Sequence, residues 1–353
     1  MDQRWAYLGP EGTFTEQAAR FLVQRAGRDG VTGTVDTGAI GAIGAGGAIG
    51  AGGAGGAGGT ASSVKGAEAA AGSITLDPVA GVSVAIAAVR SGAAAAAVVP
   101  LESSVEGAVP LTQDELTHGE PLMITAESYV PVTFDLLVRP GTSLTQIRSV
   151  GAHPHGHAQI RPWMAEQLPD AEVVMSASNA AAAAAVADGT LDAAAAAPVA
   201  GPRYGLESLF TDIGEVRDAV TRFVLLTRPG APPPPTGNDR TSLVLAVDNH
   251  PGSLLAALTE FASRGINLTR LESRPTRSKM GEYVFLVDAD GHLHDEAMAD
   301  VLAALIRRSV LHRWLGSYPR IDGKNDPAAR YATPESYLRA SDQVHRWQRG
   351  DWA

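Results

Sequence analysis

Alternating and helical hydrophobic patterns along the chain predict a mixed α/β protein. A short strand over 4–9 runs into a glycine-bounded loop, and Thr15 is predicted to cap the amphipathic helix that follows. Further apolar runs predict buried strands that alternate with helices. The predicted strands lie at 93–100, 122–138 and 191–198, and the predicted helices at 77–90, 157–167 and 179–187.

The segment 241–320 has a strand–helix–strand–strand–helix–strand pattern, which is typical of a ferredoxin-like module. In its first helix, Pro251 suits the opening turn and Gly265 suits the end. The predicted strands are 242–248, 267–274, 282–288 and 309–317, and the predicted helices are 251–265 and 293–307.

The remaining boundaries follow from composition. Four consecutive prolines in 231–240 predict a stiff, extended spacer between residues 1–230 and the C-terminal module. Residues 321–353 are predicted to form a polar, helical tail. Residues 37–60 consist almost entirely of Gly, Ala and Ile, and they are predicted to form a flexible insertion.

The insertion contains a formal G-x-G-x-x-G match at Gly50, Gly52 and Gly55. A dinucleotide site also needs a preceding strand, a following helix and an acidic residue downstream. None of these is evident in the sequence, so we expect no nucleotide cofactor.

Charge and residue usage narrow the function classes. The chain of 353 residues has 45% hydrophobic residues and a net charge of −10, which argues against nucleic acid or an anionic membrane as the main partner. The chain has no cysteine, which excludes disulfides and thiolate catalysis. The start MDQRWAYLGPEG lacks an apolar signal core, so a cytoplasmic protein is expected.

Two clusters of polar residues are candidate functional sites. Thr221 and Arg222 stand at the mouth of the buried run FVLL, where a hydroxyl and a guanidinium together form a candidate site. The alternative is a salt-bridged arginine beside a threonine that satisfies the strand end.

His153, His155 and His157 alternate like metal ligands, but the intervening Pro and Gly disfavour a regular strand and no carboxylate lies nearby. We therefore expect loop histidines and no metal.

Five motifs together resemble the prephenate dehydratases that carry a C-terminal ACT regulatory domain, in the single-function, actinobacterial form. They are YLGPEGTFTEQAA (7–19), VPLESSVEGAV (99–109), VTRFVLL (220–226), NHPGSLLAAL (249–258) and LESRP (271–275). The chain departs from the family pattern in having Ser103 where Asn is usual, and Ala152 and His155 where Ser and Gln are usual.

The resemblance implies a two-lobed catalytic domain, similar to type II periplasmic binding proteins, followed by a βαββαβ ferredoxin-like ACT domain. Lobe one is expected at about 1–105 and 196–230, and lobe two at about 106–195. The substrate is expected in the cleft between the lobes.

The resemblance implies a lyase that converts prephenate to phenylpyruvate, carbon dioxide and water without a cofactor. Thr221 is then the catalytic hydrogen-bond donor, and the forked charge of Arg222 suits a substrate carboxylate. Glu102 is expected to orient its neighbours. The implied substrate-binding set is Arg222, Phe223, Thr13, Ser103, Ser104, Gln159, Ser178 and Asn179.

The resemblance also implies feedback inhibition by phenylalanine, with the ACT domains pairing two copies into a homodimer or homotetramer. The implied phenylalanine-binding set is Asn249, Pro251, Gly252, Ser253, Leu254, Glu272, Ser273, Arg274 and Pro275. Two other functions stay open: arogenate dehydratase, and a non-catalytic small-molecule sensor linked to an ACT domain.

Overall fold

The computed structural model describes residues 3–28, 73–277, 280–308, 310–323 and 330–352. The predicted flexible insertion at 37–60 lies outside these ranges. Within them, no helix has both the length and the apolar character needed to cross a membrane.

Strands and helices alternate through the first two thirds of the chain. They are β1 (Gln3–Leu8), α1 (Phe14–Arg28), β2 (Ile74–Val79), α2 (Val82–Ser91), β3 (Ala96–Ser103), β4 (Gly107–Ala108), α3 (Pro110–His118), β5 (Met123–Pro131), β6 (Asp135–Val138), β7 (Ser149–Ala152), α4 (Pro154–Gln167), β8 (Glu172–Met175), α5 (Asn179–Ala187), β9 (Ala193–Ala196), α6 (Ala200–Tyr204), β10 (Glu207–Phe210) and β11 (Val220–Thr227). The predicted helix at 179–187 and the small-residue strands are confirmed.

Two sheets define the two lobes. Lobe one has the strand order β2-β1-β3-β11-β5, with β4 beside β3, and lobe two has the order β10-β6-β9-β7-β8. The chain therefore crosses between the lobes at 132–134 and 211–219. The predicted lobe-two range of 106–195 is wrong, because β5 pairs with β11 inside lobe one and β10 pairs with β6 inside lobe two.

One predicted helix start is also wrong. Asp77 and Pro78 lie in strand β2, and α2 begins only at Val82. Strand β2 is at the edge of its sheet, where a proline is tolerated because the missing N–H group does not interrupt a central ladder.

The C-terminal module has the predicted βαββαβ order. Its elements are β12 (Asp239–Ala246), α7 (Ser253–Ala262), β13 (Leu268–Pro275), β14 (Tyr283–Asp290), α8 (Glu296–Arg307) and β15 (Leu311–Pro319), followed by a separate helix α9 (Pro334–Gln348). The sheet order is β13-β14-β12-β15, and α7 and α8 cover one face of it.

The other face of this C-terminal sheet packs on lobe one. Val244, Leu286 and Leu315 share one apolar core with Ile124 and Val224. At Gly316 the two backbones come close together, because a Cβ atom there would lie 2.2 Å from the carbonyl oxygen of Ile124. The proline-rich segment therefore connects lobe one to a module that is docked against it.

A buried ion network crosses the same boundary. The Arg222 guanidinium donates to Glu127 Oε2 at 2.9 Å, to Asp288 Oδ2 at 2.5 Å and to the Tyr318 hydroxyl at 2.8 Å. Arg240 also donates to Glu127. Burial alone would raise the pKa of Asp288, but Arg222, followed by Arg270, outweighs burial and holds that pKa well below its usual range.

We predict that Asp288→Asn lowers the free energy of unfolding by about 3–5 kcal/mol at pH 7, because the buried guanidinium of Arg222 loses its counter-charge. A depressed folded-state pKa stabilises the protein above the unfolded-state pKa of about 3.9, and this contribution fades as the pH falls below that value. Urea unfolding at several pH values should therefore show a difference in the free energy of unfolding between wild type and variant, and this difference should shrink in acid.

The matched control is Asp300→Asn, which breaks the pair with Arg264 at 2.6 Å, where the Asp300 side chain is 47% exposed. An exposed pair contributes less than about 1 kcal/mol. Equal losses in the two variants would contradict a special role for the buried network.

Candidate active site

A cleft of about 1500 Å³ separates the two lobes. Both lobes line it, with Thr13, Thr221 and Phe223 from lobe one and Gln159, Ser178 and Asn179 from lobe two. The structure thus brings together most of the residues that the sequence assigned to the substrate.

Strand β11 supplies Thr221 and Phe223 to the cleft. Successive side chains of a strand point to opposite faces, so these two residues share one face and Arg222 takes the other. The second face carries Val224 and Leu226, which belong to the core shared with the C-terminal sheet.

The structure corrects the assignment of Arg222 as a ligand for a substrate carboxylate. Its side chain is 5% exposed and lies outside the cleft lining. Its nitrogens are already bound to Glu127, Asp288 and Tyr318. The alternation of β11 was a local signal for this outcome, since two adjacent strand residues cannot both face the same cleft.

Helix N-termini take the place of a cationic side chain. The starts of four helices line the cleft, at Phe14, Pro110, Pro154 and Asn179. The first amides of a helix lack intrahelical acceptors and carry partial positive charge, so they favour bound anions. Among the described residues, no lysine or arginine lines the cleft.

The loop before α1 is held by Glu16, a residue that sequence reasoning missed. Its carboxylate accepts from the Gly12 amide and pairs with Arg20 at 2.7 Å. The Glu16 amide donates to Thr13 Oγ1 at 3.3 Å, so Thr13 rather than Thr15 caps the helix. The Thr-x-x-Glu spacing of 13–16 was the available signal.

Three of the polar residues that lobe two contributes to the cleft lining are Gln159, Ser178 and Asn179. Ser178 Oγ caps α5 by accepting from the Ala181 amide at 3.0 Å, and Asn179 Oδ1 accepts from the His153 amide at 2.8 Å. Gln159 is 9% exposed, and within the described structure its Oε1 has no hydrogen-bond partner. A buried, unpaired amide in a cleft lining is suited to binding a ligand.

The second motif divides its residues between two tasks. Ser103 lines the cleft opposite Thr221. Ser104 does not line the cleft, because its hydroxyl accepts from the Val220 amide at 2.9 Å and so holds the start of β11, which corrects its assignment to the substrate. Glu102 lies 3.5 Å from Arg270, so it supports the charged boundary rather than the serine beside it.

Polar side-chain contacts join the lobes across the cleft. His155, at the first turn of α4, pairs with Glu106 of lobe one. Tyr204 of lobe two donates its hydroxyl to the Glu11 carbonyl at 2.8 Å. The stacked neighbour His153 has a lowered pKa, mainly because burial disfavours its charged form. Nothing local in the sequence indicated these long-range pairs.

The two motifs of the C-terminal module lie on different elements. Gly252, with φ +88°, opens α7, and the Ser253 hydroxyl contacts His250 Nδ1 at 2.7 Å. The residues 272–275 lie on edge strand β13, which β14 separates from β12. Arg274 extends out of the module and donates to Asp114 of helix α3 at 3.0 Å, so its side chain is engaged with lobe one.

Comparisons with known proteins agree with this architecture. The prephenate dehydratase family model matches residues 56–231, and the ACT domain model matches 241–307. A curated prephenate dehydratase of Amycolatopsis methanolica is 44% identical over 99% of both chains.

Solved structures show the same relationship. The prephenate dehydratase of Arthrobacter aurescens, in complex with L-Phe, has a TM-score of 0.76 and 37% identity, and the match covers 98% of this chain and 99% of that one. A protein titled GqqA, a quorum quenching acylase, matches with a TM-score of 0.68 and 27% identity over 92% of this chain and 100% of its own. By its sequence, its two domains and its fold, the chain belongs to the prephenate dehydratase family and carries a C-terminal ACT domain.

Proposed function

We propose that the protein converts prephenate to phenylpyruvate, with loss of carbon dioxide and water. The observation that carries this proposal is the cleft, whose lining combines Thr221, the starts of four helices and the aromatic rings of Phe134 and Phe223. A dianionic substrate with a ring hydroxyl fits that combination.

Thr221 is the hydrogen-bond donor to the departing ring hydroxyl. A threonine hydroxyl is too weak an acid to give up its proton freely at neutral pH, but it can donate as charge builds on the leaving oxygen. As the carbon–carbon bond to one carboxylate breaks, its electron pair enters the ring and the carbon–oxygen bond breaks. One proton is taken up, and water and carbon dioxide leave.

Backbone amides suit this reaction better than an arginine would. One carboxylate must become neutral carbon dioxide, so its negative charge declines toward the transition state. A bidentate guanidinium would stabilise that charge most in the ground state, and interactions that are stronger in the ground state raise the barrier. The separation of Arg222 from the cleft is therefore consistent with the chemistry.

Phenylalanine is the proposed inhibitor, bound at the ACT domain. The amide-bearing start of α7 suits an amino-acid carboxylate, and Gly252 leaves open space beside it. Strand β13 is an edge strand, so a second copy can place its own ACT sheet beside it. A homodimer or homotetramer follows from this proposal, and the L-Phe complex of the Arthrobacter aurescens relative supports the ligand.

We predict that Thr221→Val lowers kcat for prephenate by about 10²–10⁴-fold, because the positioned donor is lost while the side-chain shape is kept. Thr221→Ser keeps the hydroxyl and should retain most of the activity. Phenylpyruvate formation by purified full-length protein measures both variants, and equal activity of Val and Ser variants would contradict the role of the hydroxyl.

The same assay discriminates the other functions. Turnover of arogenate but not prephenate by the wild type would assign the substrate to the amino form. Absence of turnover with both substrates would overturn the proposed activity and favour the non-catalytic small-molecule sensor.

We predict that Gly252→Ala raises the phenylalanine concentration for half-inhibition about tenfold while the uninhibited kcat is unchanged. A non-glycine residue at φ +88° is strained by about 1–2 kcal/mol, so the turn relaxes away from the conformation that presents its amides. Inhibition curves with phenylalanine provide the measurement. Gly265→Ala is the control, with φ +67° just beyond the opposite end of the same helix. An equal shift in the control, or none in Gly252→Ala, would refute the assignment.

A further inference from the structure

The guanidinium of Arg222 is fixed on three sides. Its Nε, Nη1 and Nη2 atoms donate to three different acceptors, which are Glu127 on β5, Asp288 on β14 and Tyr318 on β15. A planar fork bound in three directions has little freedom to rotate or shift. The peptide that carries it is therefore held in place from the side opposite the cleft.

Thr221 directly precedes Arg222 in the chain, and it lines the cleft. The β11–β3 ladder shifts register between Arg222 and Phe223, so the pairing with β3 is irregular beside the reactive hydroxyl. Bulges and register shifts re-aim side chains, and they recur next to active sites. On its other side β11 pairs regularly with β5 from Val220 to Leu225, so the side-chain network of Arg222 adds a second constraint to a strand that one regular ladder already holds.

Two of the three acceptors belong to the ACT sheet. Asp288 is itself held by the Ser242 hydroxyl at 2.6 Å, and Ser242 also contacts the Tyr318 hydroxyl at 2.6 Å. The buried cluster thus joins the catalytic strand to the centre of the regulatory sheet. Among the described residues of lobe one, the ion-pair partners of Arg222 are Glu127 and, at 3.9 Å, the partly exposed Glu102.

Stability alone does not account for such a network. Desolvation of buried charges offsets most of their attraction, and well-packed apolar side chains of similar size often stabilise a core equally well. A charged network does fix orientation, because its donors and acceptors must meet at defined angles. Orientation is what the neighbouring hydroxyl needs, since a misplacement of about 1 Å at a reacting group can cost about 10²-fold in rate.

We propose that Arg222 is a positioning residue that acts through strand β11 to orient the Thr221 hydroxyl. Asp288 and Tyr318 of the ACT domain complete the network that holds the Arg222 guanidinium in place. This inference deepens the proposed dehydratase function and depends on it. It gives the ACT domain a structural part in catalysis that is separate from phenylalanine binding.

The test compares Arg222→Gln, Asp288→Asn and Tyr318→Phe in the full-length protein, with rates normalised to the folded fraction from near-ultraviolet circular dichroism. We expect kcat to fall about 10²-fold in the first two variants, with KM changed little. Tyr318→Phe removes a single hydroxyl, so it should fold and show a smaller loss of kcat. The double variant of Arg222→Gln and Asp288→Asn should be no slower than the slower single variant, because both remove one network.

Arg313→Met is the control. Arg313 also spans the domain boundary, donating to the Leu116 carbonyl at 3.2 Å near the end of α3, and within the described part of the chain it forms no hydrogen bond or ion pair with β11. Its kcat should equal that of the wild type.

Two outcomes would overturn the inference while the wild type turns over prephenate. Unchanged kcat per folded enzyme in Arg222→Gln and Tyr318→Phe would leave the network with a structural role only. A raised KM at unchanged kcat would instead show that Arg222 binds the substrate. An inactive wild type would refute the proposed function itself, which separates the two failures.

Discussion

The need to satisfy one buried guanidinium governs how the two domains of this protein fit together. Arg222 is almost completely buried, so its charge requires counter-charges and acceptors within reach. Lobe one supplies Glu127, and the ACT sheet supplies Asp288 and Tyr318. Separation of the domains would expose a shared apolar core and leave these charges without their partners. The ACT domain is consequently part of the structure that surrounds the catalytic strand.

Strand β11 connects this constraint to the chemistry because its two faces have different tasks. One face carries Thr221 and Phe223 into the cleft, and the other carries Arg222 and Val224 into the domain boundary. The positive charge of the arginine is thereby kept away from a substrate that must release carbon dioxide. In the proposed reaction, the helix N-termini provide a weaker positive field for the carboxylates, and their amides are fixed by the fold. The same strand would then position the hydroxyl and keep the guanidinium out of the site.

Local patterns predicted those features that depend on neighbouring residues. The βαββαβ order and the helix at 179–187 followed from periodicity, and motif resemblance located Thr221. The prediction of the lobe boundary was wrong because the pairing of β5 with β11 joins residues about a hundred positions apart. Arg222 was misassigned because its acceptors lie 66 and 96 residues away, although strand alternation already placed it opposite Thr221. Hydrogen-bond acceptors that lie far away in the chain cannot be identified from the local sequence.

A crystal structure of the full-length protein with an unreactive prephenate analogue would test this view of the site most directly. We expect the analogue's carboxylates to accept from amides at the starts of the cleft-lining helices, and its ring hydroxyl to meet Thr221 Oγ1. Arg222 should keep its hydrogen bonds to Asp288 and Tyr318. A complex in which the Arg222 guanidinium leaves these partners and binds a carboxylate of the analogue would contradict it.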